Sequence, residues 1–194
     1  MVQDRNNLLD CAYSVFQKPF YTPGNKIFSL EDGFDHFGTH HHNENKNLIF
    51  YYYPDASGYS SNTPFPGKKN FEMIQCKLTL LDNFIKKNKI SNIDFIKCDV
   101  EGAELFVFQG GITTIDRFKP IVISEISRIN QKKYSYHPNA IIKFFKEKKY
   151  LCFVADEHGL HEIKEINEDT QETNAFFLHR QKHSSQISKF CLKK

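Results

Sequence analysis

Four charged residues near the centre of the chain have types and spacing that could do chemistry. Lys97, Asp99 and Glu101 fall in "DFIKCDVEGAELFVFQGG", which runs from Asp94 to Gly111, and Glu125 falls near the end of "KPIVISEI". In the first stretch a nearly unbroken apolar run stops at D-x-E-G. Ending a buried run in carboxylates is costly unless the acids find partners. Lys97 could be such a partner, as could a bound hydroxyl or a cation. A carboxylate beside a hydroxyl can orient it or take its proton.

The elements that must hold these groups follow from pattern. Asp94 to Val100 reads as a strand, continuously apolar as a buried parallel strand is. Lys119 to Ile126 reads as a second such strand. In an open parallel sheet, ligands sit beyond the carboxyl ends of the strands, where Asp99, Glu101 and Glu125 stand. Alternation along a strand puts Asp99 and Glu101 on one face. Gly102 permits a sharp turn into a helix from Ala103 to Gln109, which Gly110-Gly111 end. Glu104 lies in that helix's first turn, where the macrodipole favours a carboxylate.

Around this centre, Asn6 to Phe16 has helical apolar spacing, ended by Pro19 and Pro23-Gly24. "NKIFSL", "NLIFYYY" and "FEMIQCKL" read as strands, with Pro54 to Asn70 a loop between the last two. Thr79 to Lys87 reads as a helix, Thr79 and Asp82 having capping-box spacing. Pro138 opens a helix with Ile141, Phe144 and Phe145 on one face. "YLCFVAD" and "NAFFLHR" are strands joined by a long polar connection, and they predict an antiparallel edge. Strands alternating with helices give α/β with a mostly parallel sheet. The expected domain is 1–180, followed by a polar, basic, frayed tail at 181–194 whose lysines are solvated.

Composition excludes several classes. The 26 basic and 23 acidic residues are too balanced to argue for a nucleic-acid partner. No apolar run reaches the roughly 18 residues of a membrane span, and the N-terminus lacks a signal-peptide pattern. The five cysteines are odd in number and form no C-x-x-C pair. They suit a reducing, cytoplasmic location.

The stretch "IDFIKCDVEGAELFVFQGG", with "KLTLLDNFIKK" before it and "KPIVISEI" after it, closely resembles the FkbM family of S-adenosylmethionine-dependent methyltransferases. The similarity continues into "YLCFVADEHG" and "TNAFFLHR", and "PDASGYSSN" resembles a Ser/Gly loop of the family; it covers about Leu48 to Arg180. The resemblance implies a Rossmann-like sheet with helices on both faces. It also implies methyl transfer from S-adenosylmethionine to a sugar hydroxyl or similar oxygen of a small-molecule or glycan acceptor. On that reading Asp99 faces cofactor or acceptor, Glu101 is its neighbour, Glu125 supports both and Lys97 pairs with one acid. Asp99 and Gly102 are the expected cofactor-binding positions.

The family's glycine-rich cofactor loop is not found: no two of the nine glycines are separated by one residue. The chain is therefore expected to lack the first two strands of the sheet and to be a fragment, a remnant, or the partner of a separate N-terminal half. Other candidates are weaker. His36, His40, His41 and His42, with Asp35 and Glu44, could bind zinc, but three adjacent histidines cannot easily face one ion; a solvated loop is the simpler reading. Phe50 to Tyr53 and Tyr59 could line an acceptor pocket, though core packing explains them more simply. Asp99-Val100-Glu101 could instead be a D-x-E motif holding Mg²⁺ in a nucleotide-sugar transferase. A non-catalytic interaction domain is a further alternative.

Overall fold

The structure is a computed structural model that describes residues 27–31, 47–55, 64–77, 79–156, 159–168, 170 and 173–191. The expected helix at Asn6–Phe16, the histidine cluster with Asp35 and Glu44, and Tyr59 lie outside the described residues.

Six strands form one sheet: β1 (Ile27–Glu31), β4 (Phe95–Asp99), β5 (Ile121–Ile126), β6 (Tyr150–Asp156), β7 (Gly159–Ile163) and β8 (Thr173–His179). Their order is β1-β4-β5-β8-β6-β7. The pairings β1–β4 and β4–β5 are parallel, whereas β5–β8, β8–β6 and β6–β7 are antiparallel. The sheet is thus mixed, which corrects the expectation of a mostly parallel one. The cause is β8: it comes last in the chain and inserts between β5 and β6, running against both. The two C-terminal strands are antiparallel as expected, but they do not make the edge. That place belongs to β7, inside the stretch read as a connection. Its "GLHEI" alternates weakly and carries charge, as edge strands do.

The two other predicted strands, β2 (Asn47–Tyr52) and β3 (Glu72–Lys77), pair antiparallel in a separate two-stranded sheet. Phe50 and Tyr53 are buried there. The Tyr51 and Tyr53 rings pack edge-on against Phe71, and the Tyr53 hydroxyl accepts from the Phe65 amide at 2.8 Å. Phe50 and Tyr53 therefore pack, as the simpler reading held.

Burial along β4 and β5 alternates, which corrects the reading of continuously apolar buried strands: Lys97, Asp99 and Glu125 take the less buried positions. Ile96, Val122, Phe177, Cys152 and Ile163 form one row across five strands. That face joins one hydrophobic core with α1 (Leu81–Lys87), α2 (Glu104–Gln109), α3 (Ile112–Phe118) and α5 (Asn139–Glu147). Between β5 and α5 lies the short α4 (Arg128–Lys132). Phe145 ties the core together, stacking on Phe177 with ring centroids 4.3 Å apart. The opposite face carries Lys97, Asp99, Ile123 and Glu125, all half-buried.

Several local expectations need correcting. Thr79 and Asp82 do not cap α1, whose N-terminus has no side-chain cap. Asp82 instead accepts from the Thr113 and Thr114 amides at 2.9 and 2.8 Å, capping α3. Gly110 and Gly111 end α2 as expected, but both have negative φ. Gly111 is needed for space: a Cβ there would lie 2.6 Å from Leu81 Cδ2. The supposed frayed tail forms α6 (Ser184–Phe190). Its entry is fixed by His183 Nδ1, which accepts from the His179 amide at 2.9 Å. Lys182 is exposed as expected, and its ammonium also donates to the Phe118 carbonyl at 2.6 Å, at the C-terminus of α3. Among the described residues no helix is long and apolar enough to cross a membrane. Cys98, Cys152 and Cys191 are free thiols.

Candidate functional site

Strand β4 stops at Asp99 because the chain then turns through two residues with positive φ, Glu101 at 53° and Gly102 at 107°. A non-glycine residue in that region costs about 1 kcal/mol or more and persists only when its surroundings impose it. Glu104 imposes it. Its carboxylate is fully buried, and Oε1 accepts from the amides of Val100 and Gly102, both at 3.1 Å. Oε2 accepts from Gln131 Nε2 at 2.9 Å and lies 3.4 Å from the Tyr136 hydroxyl. Glu104 therefore does more than complement a helix dipole: it folds the loop that presents Glu101.

Gly102 has a packing explanation as well. A Cβ on it would sit 2.3 Å from the Asn130 carbonyl oxygen. Its amide donates to Glu104, and its carbonyl accepts from the Tyr136 hydroxyl at 2.7 Å. Both backbone groups are thus engaged within the protein. Burial, then the charge of Glu104, hold the Tyr136 phenol well above its ordinary pKa, so it stays a donor.

The turn brings the predicted acids together. Asp99, Glu101 and Glu125 each offer an oxygen within 4.8 Å of the others, and all three are half-buried. Alternation along a strand does not explain this, since Glu101 lies past the strand end in a left-handed conformation. Lys97 pairs with Asp99 as expected, its ammonium 3.5 Å from Oδ2. Asn130 sits between the two glutamates. Its Nδ2 donates to Glu101 Oε2 at 2.6 Å and lies 3.4 Å from Glu125 Oε2.

Like charges this close cannot all ionise freely. Burial first, then Glu101, Asp99 and Glu104, push the Glu125 carboxyl up to about 7. Burial and Asp99 raise Glu101 too, against the opposing pull of Lys133 and the Asn130 bond. Near neutral pH the cluster can therefore hold a proton on Glu125 or release it. The same oxygens are close enough to share one hard cation.

Asn130, Gln131 and Tyr136 were not legible as site residues. All three follow Glu125 in "SRINQKKYSY". One signal existed: Ser127 is an N-cap whose Oγ accepts from the Asn130 amide at 3.3 Å, and Gln131 reaches back to accept from the Ser127 amide at 2.9 Å. That reciprocal cap resembles a capping box shifted by one residue. It anchors α4 against the D-x-E-G loop.

No curated protein and no solved structure matches the chain. A family model described as the methyltransferase FkbM domain matches residues 6–152, which run from before β1 into the first residues of β6 and include Lys97, Asp99, Glu101, Glu104 and Glu125. With three acids gathered at the carboxyl ends of two adjacent parallel strands, and with that match over most of its length, the chain belongs to the FkbM methyltransferase family.

Proposed function

We propose that this chain is an S-adenosylmethionine-dependent O-methyltransferase acting on a hydroxyl of a glycan or other small molecule in the cytoplasm. The observation that carries the proposal is the convergence of Asp99, Glu101 and Glu125 within 4.8 Å beyond β4 and β5, in a chain of the FkbM family. The parallel trio β1-β4-β5, followed by an antiparallel insertion, supports a Rossmann-like layout.

The donor set fits the cofactor. Burial first, and then the charge of the neighbouring carboxylates, raise the pKa values of the Glu101 and Glu125 carboxyls. A cationic donor with amine and hydroxyl groups offsets that charge. Asp99 and Glu101 would hold it, accepting hydrogen bonds from those groups; Gly102 serves as packing. When bound, the cofactor supplies an electrophilic methyl group on a sulfonium.

The protein's own part is alignment and proton handling. Methyl transfer from a sulfonium needs little covalent help, so most of the gain comes from fixing the acceptor oxygen in line. Glu125, poised near neutrality, accepts the acceptor's proton as the O–C bond forms. Lys97 orients Asp99 by pairing with it. Asn130 holds Glu101 and Glu125 at fixed separation.

The test is calorimetric titration of the full chain with S-adenosylmethionine, then methyl transfer from labelled donor to a panel of hydroxyl acceptors. Glu125→Gln should keep donor binding and lower the transfer rate by about 100-fold or more, the usual contribution of a general base. A wild-type chain that binds neither S-adenosylmethionine nor its demethylated product would end the proposal. So would an E125Q variant with full activity.

A further inference from the structure

We infer that a hollow between α5 and the β6–β7 hairpin binds a small amphipathic anion, an apolar body with one carboxylate or phosphate. The hollow measures about 490 Å³, inside the roughly 300–1,000 Å³ typical of small-molecule sites. It lies away from the acids. Asp99 and Glu125 sit at the carboxyl ends of β4 and β5. The hollow is lined by the first residues of β6 and by residues at and just beyond the end of antiparallel β8, which places it at the opposite rim of the sheet.

The floor is apolar and continuous. Phe177, Cys152 and Ile163 are neighbours in one row across β8, β6 and β7. Cys152 is the small member of that row. Burial pushes its thiol up to about 12, so it presents an uncharged sulfur. The wall is one side of α5, with Ile142, Phe145 and Lys146 at helical spacing, continued by Lys149 just past the helix end. Phe145 is held over Phe177 by stacking, so α5 covers β8, while Ile163 on β7 is only half-buried.

The rim is basic. Lys146, Lys149, Lys164 and Arg180 line it, all exposed, against the single acid Glu162. The Arg180 amide donates to the Lys149 carbonyl at 2.9 Å, so those two cations start from one corner. Lys146 and Lys149 complement the C-terminus of α5, as basic residues there usually do. Lys164 and Arg180 follow strands and have no such role. An apolar floor with a net positive rim selects an anion with an apolar body over a bare anion or an apolar cation.

Fluorescence titration of the full chain with 1-anilinonaphthalene-8-sulfonate tests this, followed by displacement with octanoate, octyltrimethylammonium or inorganic phosphate. Saturable binding to the native protein, displaced by octanoate and by neither of the others, supports the site. The double variant Lys149→Glu/Arg180→Glu changes only exposed side chains and should melt as the wild type does, while binding the probe about tenfold more weakly through lost charge attraction. Displacement by the cation as strong as by octanoate would overturn the inference, as would phosphate alone sufficing. Unchanged probe affinity in the double variant would overturn it too.

Discussion

At the scale of single residues, position in the turn decides what each acid does. Asp99, Glu101 and Glu104 lie within six residues of sequence, yet they have three different environments. Asp99 is paired with Lys97, Glu101 takes the Asn130 amide, and Glu104 is fully buried among backbone donors. Glu125, from the next strand, carries the consequence, because burial and the charge of the other three acids both act against its ionisation. Its folded pKa near 7 exceeds the ordinary 4.5. The folded state therefore binds the proton more tightly than the unfolded chain does. The stability this provides is complete below about pH 4.5 and is lost as pH rises through 7. Replacing Glu125 by Gln should leave stability unchanged at pH 4.5 and raise it at pH 8. A tenfold change in proton affinity is worth roughly 1.4 kcal/mol, and partial exposure of the carboxyl holds the expected gain to about 1–2 kcal/mol. Urea unfolding of both proteins at the two pH values checks this; equal stability at pH 8 would show that Glu125 is not strained by its neighbours.

At the scale of elements, the helices are short and depend on one another for their ends. Helix α1 has seven residues and no side-chain cap, and the Asp82 amide donates to the Gly110 carbonyl at 3.0 Å. The Asp82 carboxylate in turn caps α3 from 31 residues away. Gly111 lets Leu81 close over the junction. Asp82→Ala should therefore lower stability by about 1 kcal/mol, the typical value of an N-cap, although the residue sits inside a different helix. Thermal melting measures the loss, and no loss would mean that the amides of Thr113 and Thr114 are equally well served by water. The capping-box spacing of Thr79 and Asp82 pointed to the right residue and the wrong helix. Spacing shows that a carboxylate is available near a helix start, and it cannot show which helix start arrives there.

At the scale of the whole molecule, the last described strand completes the sheet. β8 lies between β5 and β6, with Ala175 and Phe177 fully buried, yet it falls beyond the matched residues 6–152. A chain truncated before Thr173 would leave two interior strands with unpaired backbone groups and expose the core that Phe145 stacks on. We expect it to lose cooperative unfolding by circular dichroism and to be cut rapidly by protease. A sharp thermal transition in the truncated chain would show that β5 and β6 can close on each other without β8. The net charge, by contrast, needs no tertiary explanation, since 26 basic and 23 acidic residues nearly cancel.

The amino-acid sequence by itself determined the family, the strands bearing the acids, and Asp99 and Glu101 as neighbouring carboxylates at a strand end; pairing of β4 with β5 brought Glu125 to them. The features read from sequence are local: an apolar run ending in D-x-E-G carries its own periodicity, its turn and its charge. Only the tertiary structure decided that the sheet is mixed, that Glu104 is the anchor of the loop, and that Asn130 and Gln131 belong to the site. Each of these depends on contacts between segments distant in the chain, such as Gln131 meeting Glu104 across 27 residues and β8 entering between β5 and β6. Pairing of that kind is set by which buried surfaces and unpaired backbone groups remain once the local elements exist, and no periodicity within a single segment records it.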